Sequence, residues 1–249
     1  MEIPHKIIDA HVHLWGPTAD ADRAVLTEMA DRFDLAAMWV SPLFGWLQPG
    51  VEDMVAGNDV AAAFARDDPR VRLFARIDPR HGQKARDELS RCVEELGCAG
   101  VKVWMFPADD PAMDPLVEQL IDLDRPLLMH ALDKAVGQLP LESRPARVAT
   151  LGRRFPQATI IMAHMGGDFI AGCDAIADVP NVRTDPSGTY CETGMLEWAV
   201  ETLGADRILF GTDAPGASFI NNLAKVLAAE ISDVDQDKIL RTNARGLLP

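Results

Sequence analysis

Basic residues are scarce in this sequence. Its 249 residues include 24 lysines and arginines against 38 aspartates and glutamates, which gives a formal net charge of −14. Binding to nucleic acid or to an anionic membrane depends on clustered lysine and arginine side chains. The composition therefore predicts that neither is a partner of this protein.

Long apolar runs and closely spaced cysteines are also missing. No apolar run approaches the roughly 20 residues that cross a bilayer, and the opening residues MEIPHKIIDAHVH do not have the layout of a signal peptide. The cysteines show no C-x-x-C spacing, so we expect free, mostly buried thiols in a reducing, cytoplasmic compartment. They are Cys92, Cys98, Cys173 and Cys191.

Nothing in the sequence marks a domain boundary. It has no linker rich in proline, glycine or serine, no low-complexity tract and no block of like charge. Hydrophobic residues make up 48% of the chain, which is enough for a substantial core. The sequence predicts a single domain over residues 1–249.

Eight short apolar segments, typical of buried parallel strands, alternate with helical stretches. The predicted strands are 6–12, 35–40, 71–77, 99–105, 126–131, 158–164, 181–185 and 207–213. The predicted helices are 21–33, 57–67, 83–96, 113–123, 144–155, 168–177, 192–203 and 218–230, with a closing helix from Asp235 to Gly246. Eight such units favour a closed (β/α)8 TIM barrel over an open doubly wound sheet.

Residues 41–56, SPLFGWLQPGVEDMVA, are too long for a minimal connection between a strand and a helix. Long loops at barrel ends commonly carry function. We expect an active-site loop or partial lid here, with Phe44 and Trp46 as apolar contacts.

Five chemically reactive residues lie where predicted strands end. His11 and His13 form His-x-His in the first strand, with Asp9 at the same spacing. His130, His164 and Asp213 end the fifth, sixth and eighth strands. In a barrel these ends surround one mouth. Three imidazoles and a carboxylate can bind one divalent metal and leave a histidine for proton transfer.

Further residues are candidates for contact with a substrate. Lys102 in the fourth strand could pair with a carboxylate inside the barrel or contact a substrate carboxylate. Arg76, or Arg80 beyond it, could clamp a substrate carboxylate or form a structural salt bridge. Trp104 could line the pocket or pack in the core, and Ser187 follows the seventh strand at the mouth.

The motifs DAHVH, GVKVW, HMGG and GTDAP, at the first, fourth, sixth and eighth predicted strands, resemble those of the amidohydrolase superfamily. RLFARIDPR and KILRTNARGLL resemble its amidohydrolase-2 branch of metal-dependent hydrolases and decarboxylases. The resemblance extends over residues 5–248. It is specific for the superfamily and not for a substrate.

This resemblance implies a role for each strand-end residue. His11, His13 and His130 would be metal ligands. Asp213 would bind the metal and take a proton from its water, and His164 would act as acid, base or electrophile.

The resemblance also bears on the number and identity of the metals. HMGG is similar to the one-metal branch, with zinc expected and manganese as the alternative. In some superfamily members a fourth-strand lysine is carboxylated and bridges two metals, which would require a depressed pKa at Lys102. A homodimer is a further implication.

The function expected from this resemblance is hydrolysis. A metal-activated water would cleave a C–O or C–N bond in a small, carboxylated lactone, ester or amide. The alternative is a decarboxylase, in which His164 or Asp213 would protonate carbon. Aromatic decarboxylases of this branch often carry glutamate at the place of His11, which favours hydrolysis. A second alternative is a binding or scaffold protein that has lost activity.

Overall fold

Seven parallel strands pair in chain order, so that each strand lies beside the one that follows it in the sequence. The computed structural model describes residues 6–248. The strands are β1 Ile8–Trp15, β2 Ala37–Leu43, β3 Val71–Arg76, β4 Gly100–Val103, β5 Leu127–Met129, β6 Ile160–Met162 and β7 Val182–Thr184. A helix follows each strand, and this alternation around a curled parallel sheet is a TIM-barrel-like fold.

The helices pack on the outside of the sheet. They are α1 Ala19–Arg32, α2 Val51–Asp67, α3 Gln83–Glu94, α4 Asp114–Asp122, α5 Pro145–Arg154, α6 Phe169–Ile176, α7 Met195–Leu203, α8 Phe219–Leu227, α9 Asp233–Asp237 and α10 Asn243–Arg245. The predicted closing helix is therefore two short helices, joined by a π-helical turn over Lys238–Thr242. Among residues 6–248, no helix is both long enough and apolar enough to cross a bilayer.

The predicted eighth strand, 207–213, is not a regular strand in the described part of the chain. Its backbone nevertheless bonds to both edges of the sheet. Leu209 N donates to Thr184 O at 2.9 Å on the β7 side, and Asp213 N donates to His11 O at 2.7 Å on the β1 side. Asp213 has a φ of 65°, so the chain leaves the extended conformation here. Segment 208–214 thus joins β7 to β1 through scattered bonds.

The protein has a large apolar core and a smaller apolar cluster. The smaller cluster fills the space that the strands enclose. Its members include Ile8, Ala10, Trp39, Phe74, Leu128, Ile161 and Leu209. The rings of Trp39 and Phe74 stack with their centroids 4.5 Å apart. Several members lie shortly before a predicted site residue, as Leu128 of β5 lies two residues before His130. This inner cluster therefore forms a packed floor below the mouth of the barrel.

A bulge in β1 lets one strand contribute to both the floor and the mouth. The register of β1 against β2 shifts between Asp9 and Val12, and such a shift re-aims the side chains that follow it. Ala10 packs in the inner cluster while His13 reaches the mouth. Asp9 does not join the histidines, because its carboxylate accepts hydrogen bonds from Thr212 N and Oγ1 at 3.0 and 2.6 Å.

The long connection after β2 is shorter than predicted. Residues 41–43 belong to β2, and α2 begins at Val51, so the loop is 44–50. The helix begins early because Gly50 precedes it and Asp53 accepts a hydrogen bond from Gly50 N at 2.9 Å.

Packing of the floor can be tested at Gly100. A Cβ at this position would lie 2.4 Å from Cε1 of Phe74. Gly100→Ala should therefore lower the free energy of unfolding by about 1–3 kcal/mol. At Gly246 the nearest atom to a Cβ is 3.7 Å away, so Gly246→Ala should change stability by less than about 0.5 kcal/mol. Urea unfolding followed by circular dichroism measures both variants, and equal stabilities would contradict the described packing.

Candidate active site

A cavity of about 160 Å³ lies at the carboxyl ends of the strands. Its lining residues are His13, Trp15, Leu43, Lys102, Trp104, His130, Leu132, His164, Gly188, Thr189, Tyr190 and Asp213. Most of the predicted site residues are among them. His11, Arg76 and Ser187 lie behind this lining.

His11, His13 and Asp213 form one close group in the site, and His11, His164 and Asp185 form another. Nε2 of His11 lies 3.1 Å from Nε2 of His13. Oδ1 of Asp213 lies 3.1 Å from Nε2 of His13 and 3.8 Å from Nε2 of His11. One ligand atom from each residue lies within 4.8 Å of the others, a grouping that a single metal ion could bind.

His130 and His164 form a second pair, with Nδ1 of His130 3.3 Å from Nε2 of His164. His164 has a φ of 61°, which is uncommon for a residue other than glycine. Its backbone N–H donates to Oδ1 of Asp185 at 3.1 Å. This bond helps to hold the turn that directs the imidazole into the cavity.

Two of the four imidazoles bond to backbone carbonyls. Nδ1 of His13 lies 3.1 Å from the carbonyl oxygen of Ser41. Nδ1 of His164 lies 3.2 Å from the carbonyl oxygen of Ser187. A carbonyl only accepts hydrogen bonds, so we assign the ring hydrogen of both histidines to Nδ1.

The other two imidazoles bond to buried carboxylates. Nδ1 of His11 lies 3.1 Å from Oδ2 of Asp185, and Nε2 of His130 lies 3.1 Å from Oε1 of Glu142. Burial opposes the ionisation of Glu142, but its hydrogen bonds with His130 and Lys134 lower its pKa to about 2. Each carboxylate is thus an acceptor, and the ring hydrogens are on Nδ1 of His11 and Nε2 of His130.

The second nitrogen of each imidazole therefore directs a lone pair into the site. The lone pairs of His11 and His13 face each other, as do those of His130 and His164. A cation between facing lone pairs relieves their repulsion, and the Nζ of Lys102 already lies 2.8 Å from Nε2 of His11. Nitrogen and carboxylate oxygen ligands suit zinc, manganese, iron or cobalt. The residues present therefore fit a divalent cation.

The pKa values of the imidazoles agree with metal binding by these nitrogen and oxygen atoms. Burial lowers the pKa of His13, His130 and His164 to about 4. The imidazoles are consequently neutral at pH 7, the form in which histidine binds a metal.

Lys102 is almost fully buried, and its Nζ lies 2.8 Å from Nε2 of His11. Burial lowers the pKa of Lys102 to about 8. This is the direction that carboxylation of the lysine requires, and a second metal bridged by Lys102 stays a prediction.

Arg76, predicted as a substrate clamp, bonds to the loop after β2. Nη1 donates to the carbonyl of Phe44 at 2.9 Å and Nη2 to that of Trp46 at 2.6 Å. Its guanidinium lies 5.2 Å from the centre of the Trp104 ring. Arg80 also donates to this loop, at Leu47. Arg76 thus holds loop 44–50 behind Trp104, and its contact with a substrate stays a prediction.

Ser187 lies behind the imidazoles. Its Oγ is 2.9 Å from Nδ1 of both His11 and His164. The structure shows an orienting contact at this residue, and its predicted contact with substrate remains a prediction.

Sequence reasoning missed two carboxylates that orient these histidines. Asp185 is fully buried and directly follows β7, as His130 directly follows β5, so its position was a usable signal. Glu142 lies in the irregular segment between β5 and α5, where no periodic pattern identifies it. Thr189 and Tyr190 line the cavity from the loop after β7 and were missed for the same reason.

Comparison with known proteins gives matches of sequence and of structure. A family model described as Amidohydrolase matches residues 8–249. The gamma-resorcylate decarboxylase of Rhizobium sp. (strain MTP-10005) is 27% identical over 246 residues, covering 76% of this chain and 74% of the relative.

Two crystal structures share the fold. The 2,6-dihydroxybenzoate decarboxylase from Rhizobium matches with a TM-score of 0.81 at 23% identity over 98% of both chains. A dihydroxybenzoic acid decarboxylase from Polaromonas sp. JS666, with bound manganese and the inhibitor 2-nitroresorcinol, matches with a TM-score of 0.79 at 22% identity. That match covers 98% of this chain and 97% of the other.

The prediction of a hydrolase is wrong, because the curated relatives are decarboxylases. Hydrolysis and decarboxylation can both use a cation beside a proton donor, so the strand-end residues do not distinguish them.

The family match begins in β1 and runs through every strand and helix of the barrel. It includes both groups of inward-facing histidines and Asp213. This chain is therefore an enzyme of the amidohydrolase family.

Proposed function

We propose that this protein is a metal-dependent decarboxylase of small hydroxylated aromatic acids. The observation that carries the proposal is the likeness to gamma-resorcylate decarboxylase, at 27% identity over 246 residues. The cavity supports it, because a volume of about 160 Å³ suits a small acid. Its walls include Trp15 and Trp104, whose flat rings can pack against an aromatic substrate.

His11, His13, His130 and Asp213 would hold the metal in this proposal. Manganese is the first cation to test, since a protein of the same fold was crystallised with it, and zinc is the second. A bound divalent cation would supply positive charge to the carboxylate and the neighbouring hydroxyl oxygen of the substrate.

Loss of carbon dioxide requires a proton on the ring carbon that carries the carboxylate. The new carbon–hydrogen bond forms first. The carbon–carbon bond then breaks, its electron pair returns to the ring and carbon dioxide leaves. We assign proton delivery to His164, with Asp213 as the alternative. The Ser187 carbonyl holds the Nδ1 hydrogen of His164, which leaves Nε2 free to receive a solvent proton and pass it to carbon.

Lys102 and the tryptophans would orient the substrate. Lys102 lines the cavity and, with a pKa of about 8, keeps its proton at neutral pH and can attract a carboxylate. The rings of Trp15 and Trp104 pack with their centroids 5.8 Å apart, at the side of His13 and His130. This wall would hold the aromatic ring beside His164.

The reaction type is tested with 2,6-dihydroxybenzoate, its methyl ester and a small lactone. We expect one equivalent of carbon dioxide and one of 1,3-dihydroxybenzene from the acid, with no turnover of the ester or lactone. In deuterated water the product should carry deuterium at the carbon that lost the carboxylate. Hydrolysis of the ester or lactone without carbon dioxide release would overturn the proposal.

The roles of the histidines are tested by measuring metal content and turnover together. His13→Ala should lose both, because its Nε2 lies among the proposed ligands. His164→Asn should keep the metal and lose turnover by about 10²- to 10⁴-fold. His81→Ala, outside the cavity lining, should keep the metal. Loss of metal from His164→Asn would instead make His164 a ligand.

A further inference from the structure

Lys225 of α8 is buried, and within the described residues 6–248 its ammonium group donates to three uncharged oxygens. Its side chain is 7% exposed. Nζ donates to the carbonyls of Pro186 at 2.7 Å and Gly188 at 3.1 Å, and to Oδ1 of Asn222 at 2.8 Å. The three hydrogens of the ammonium group are thus matched by three acceptors. Two of these acceptors flank one residue, Ser187.

The charge of Lys225 is compatible with this geometry. Burial lowers its pKa to about 8, so the side chain keeps its third hydrogen at neutral pH. The cost of burying a charge is offset by three hydrogen bonds, each stronger because the donor is ionised.

Segment Pro186–Gly188 contacts the active site directly. The carbonyl of Ser187 accepts from Nδ1 of His164, and the Ser187 hydroxyl lies 2.9 Å from the same nitrogen. Gly188 lines the cavity with a φ of 100°, a backbone conformation that glycine adopts readily. The segment therefore sets both the hydrogen position on His164 and part of the cavity wall.

Asn222, the third acceptor of Lys225, extends the same network. Its Nδ2 donates to the carbonyl of Thr212 at 3.0 Å, and Gly188 N donates to that carbonyl at 3.2 Å. Thr212 directly precedes Asp213. One turn of α8 thus ties the loop beside His164 to the segment that carries Asp213.

We propose that Lys225 is a positioning residue, which holds segment Pro186–Gly188 so that His164 keeps its hydrogen on Nδ1 and turns Nε2 to the cavity. The kinetic consequence rests on the proposed decarboxylation, whereas the hydrogen position does not. Removal of the ammonium leaves two buried carbonyls without donors, and the segment must shift to find others.

The kinetic test compares Lys225→Met with Lys238→Met in the metal-loaded enzyme. Lys238 is partly exposed and pairs with Asp206, away from the cavity lining. We expect Lys225→Met to lower kcat by about 10- to 100-fold, as a small misplacement of a reacting group does. KM and metal content should stay close to those of the wild type, and Lys238→Met should be unchanged. A lysine that only stabilises the fold would lower the yield and melting temperature but not kcat.

The second test reads the imidazole directly. Long-range ¹H–¹⁵N spectra of histidine-labelled, zinc-loaded protein distinguish the two ring tautomers, and His164→Gln identifies the His164 signals. The wild type should show hydrogen on Nδ1, and Lys225→Met should show a mixture. Lys225→Arg keeps charged donors and should therefore hold part of the His164 population with hydrogen on Nδ1. It also serves as the second variant if Lys225→Met does not fold.

An unchanged tautomer in Lys225→Met would overturn the proposal, whatever the kinetics show. So would a wild-type kcat in that variant. If the wild type itself releases no carbon dioxide, the decarboxylase proposal fails, while the spectra still decide the role of Lys225.

Discussion

The hydrogen bond on the outer nitrogen of each imidazole controls what the cavity can bind. A histidine with a free outer nitrogen could rotate or exchange tautomers, and its lone pair would have no fixed direction. Here Ser41 and Ser187 supply carbonyls, and Asp185 and Glu142 supply carboxylates, to the outer nitrogens. The protein itself therefore fixes the direction of the inner nitrogens, which are the donor atoms of the candidate cation site.

The barrel and the positions of the reactive residues could be predicted because both depend on local pattern. Short apolar runs identify strands, and a parallel strand places the residue after it at one end of the barrel. The eighth segment was harder, since its apolar residues also fit a regular strand. The φ of 65° at Asp213 is set by contacts with β1 and is not visible in the sequence.

Roles that depend on distant partners could not be predicted. The sequence does not show that the donors of Arg76 bond to the carbonyls of Phe44 and Trp46, which lie 30 or more residues earlier in the chain. Glu142 gave no signal because its partner, His130, is brought to it by the fold of an irregular segment. The reaction type was also out of reach, because hydrolysis and decarboxylation use the same kinds of side chain.

The scattered bonding between β7 and β1 has a dynamic consequence. In a regular ladder each hydrogen bond is supported by its neighbours, whereas isolated bonds can open one at a time. Segment 208–214 is tied to β1 by hydrogen bonds at Ala10 N, His13 N and Asp213 N, whereas Leu209 N ties it to β7. Local opening beside β7 would therefore leave Asp213 with His11 and His13 while it separated them from the β7 end that carries Asp185, an order that amide hydrogen exchange can resolve.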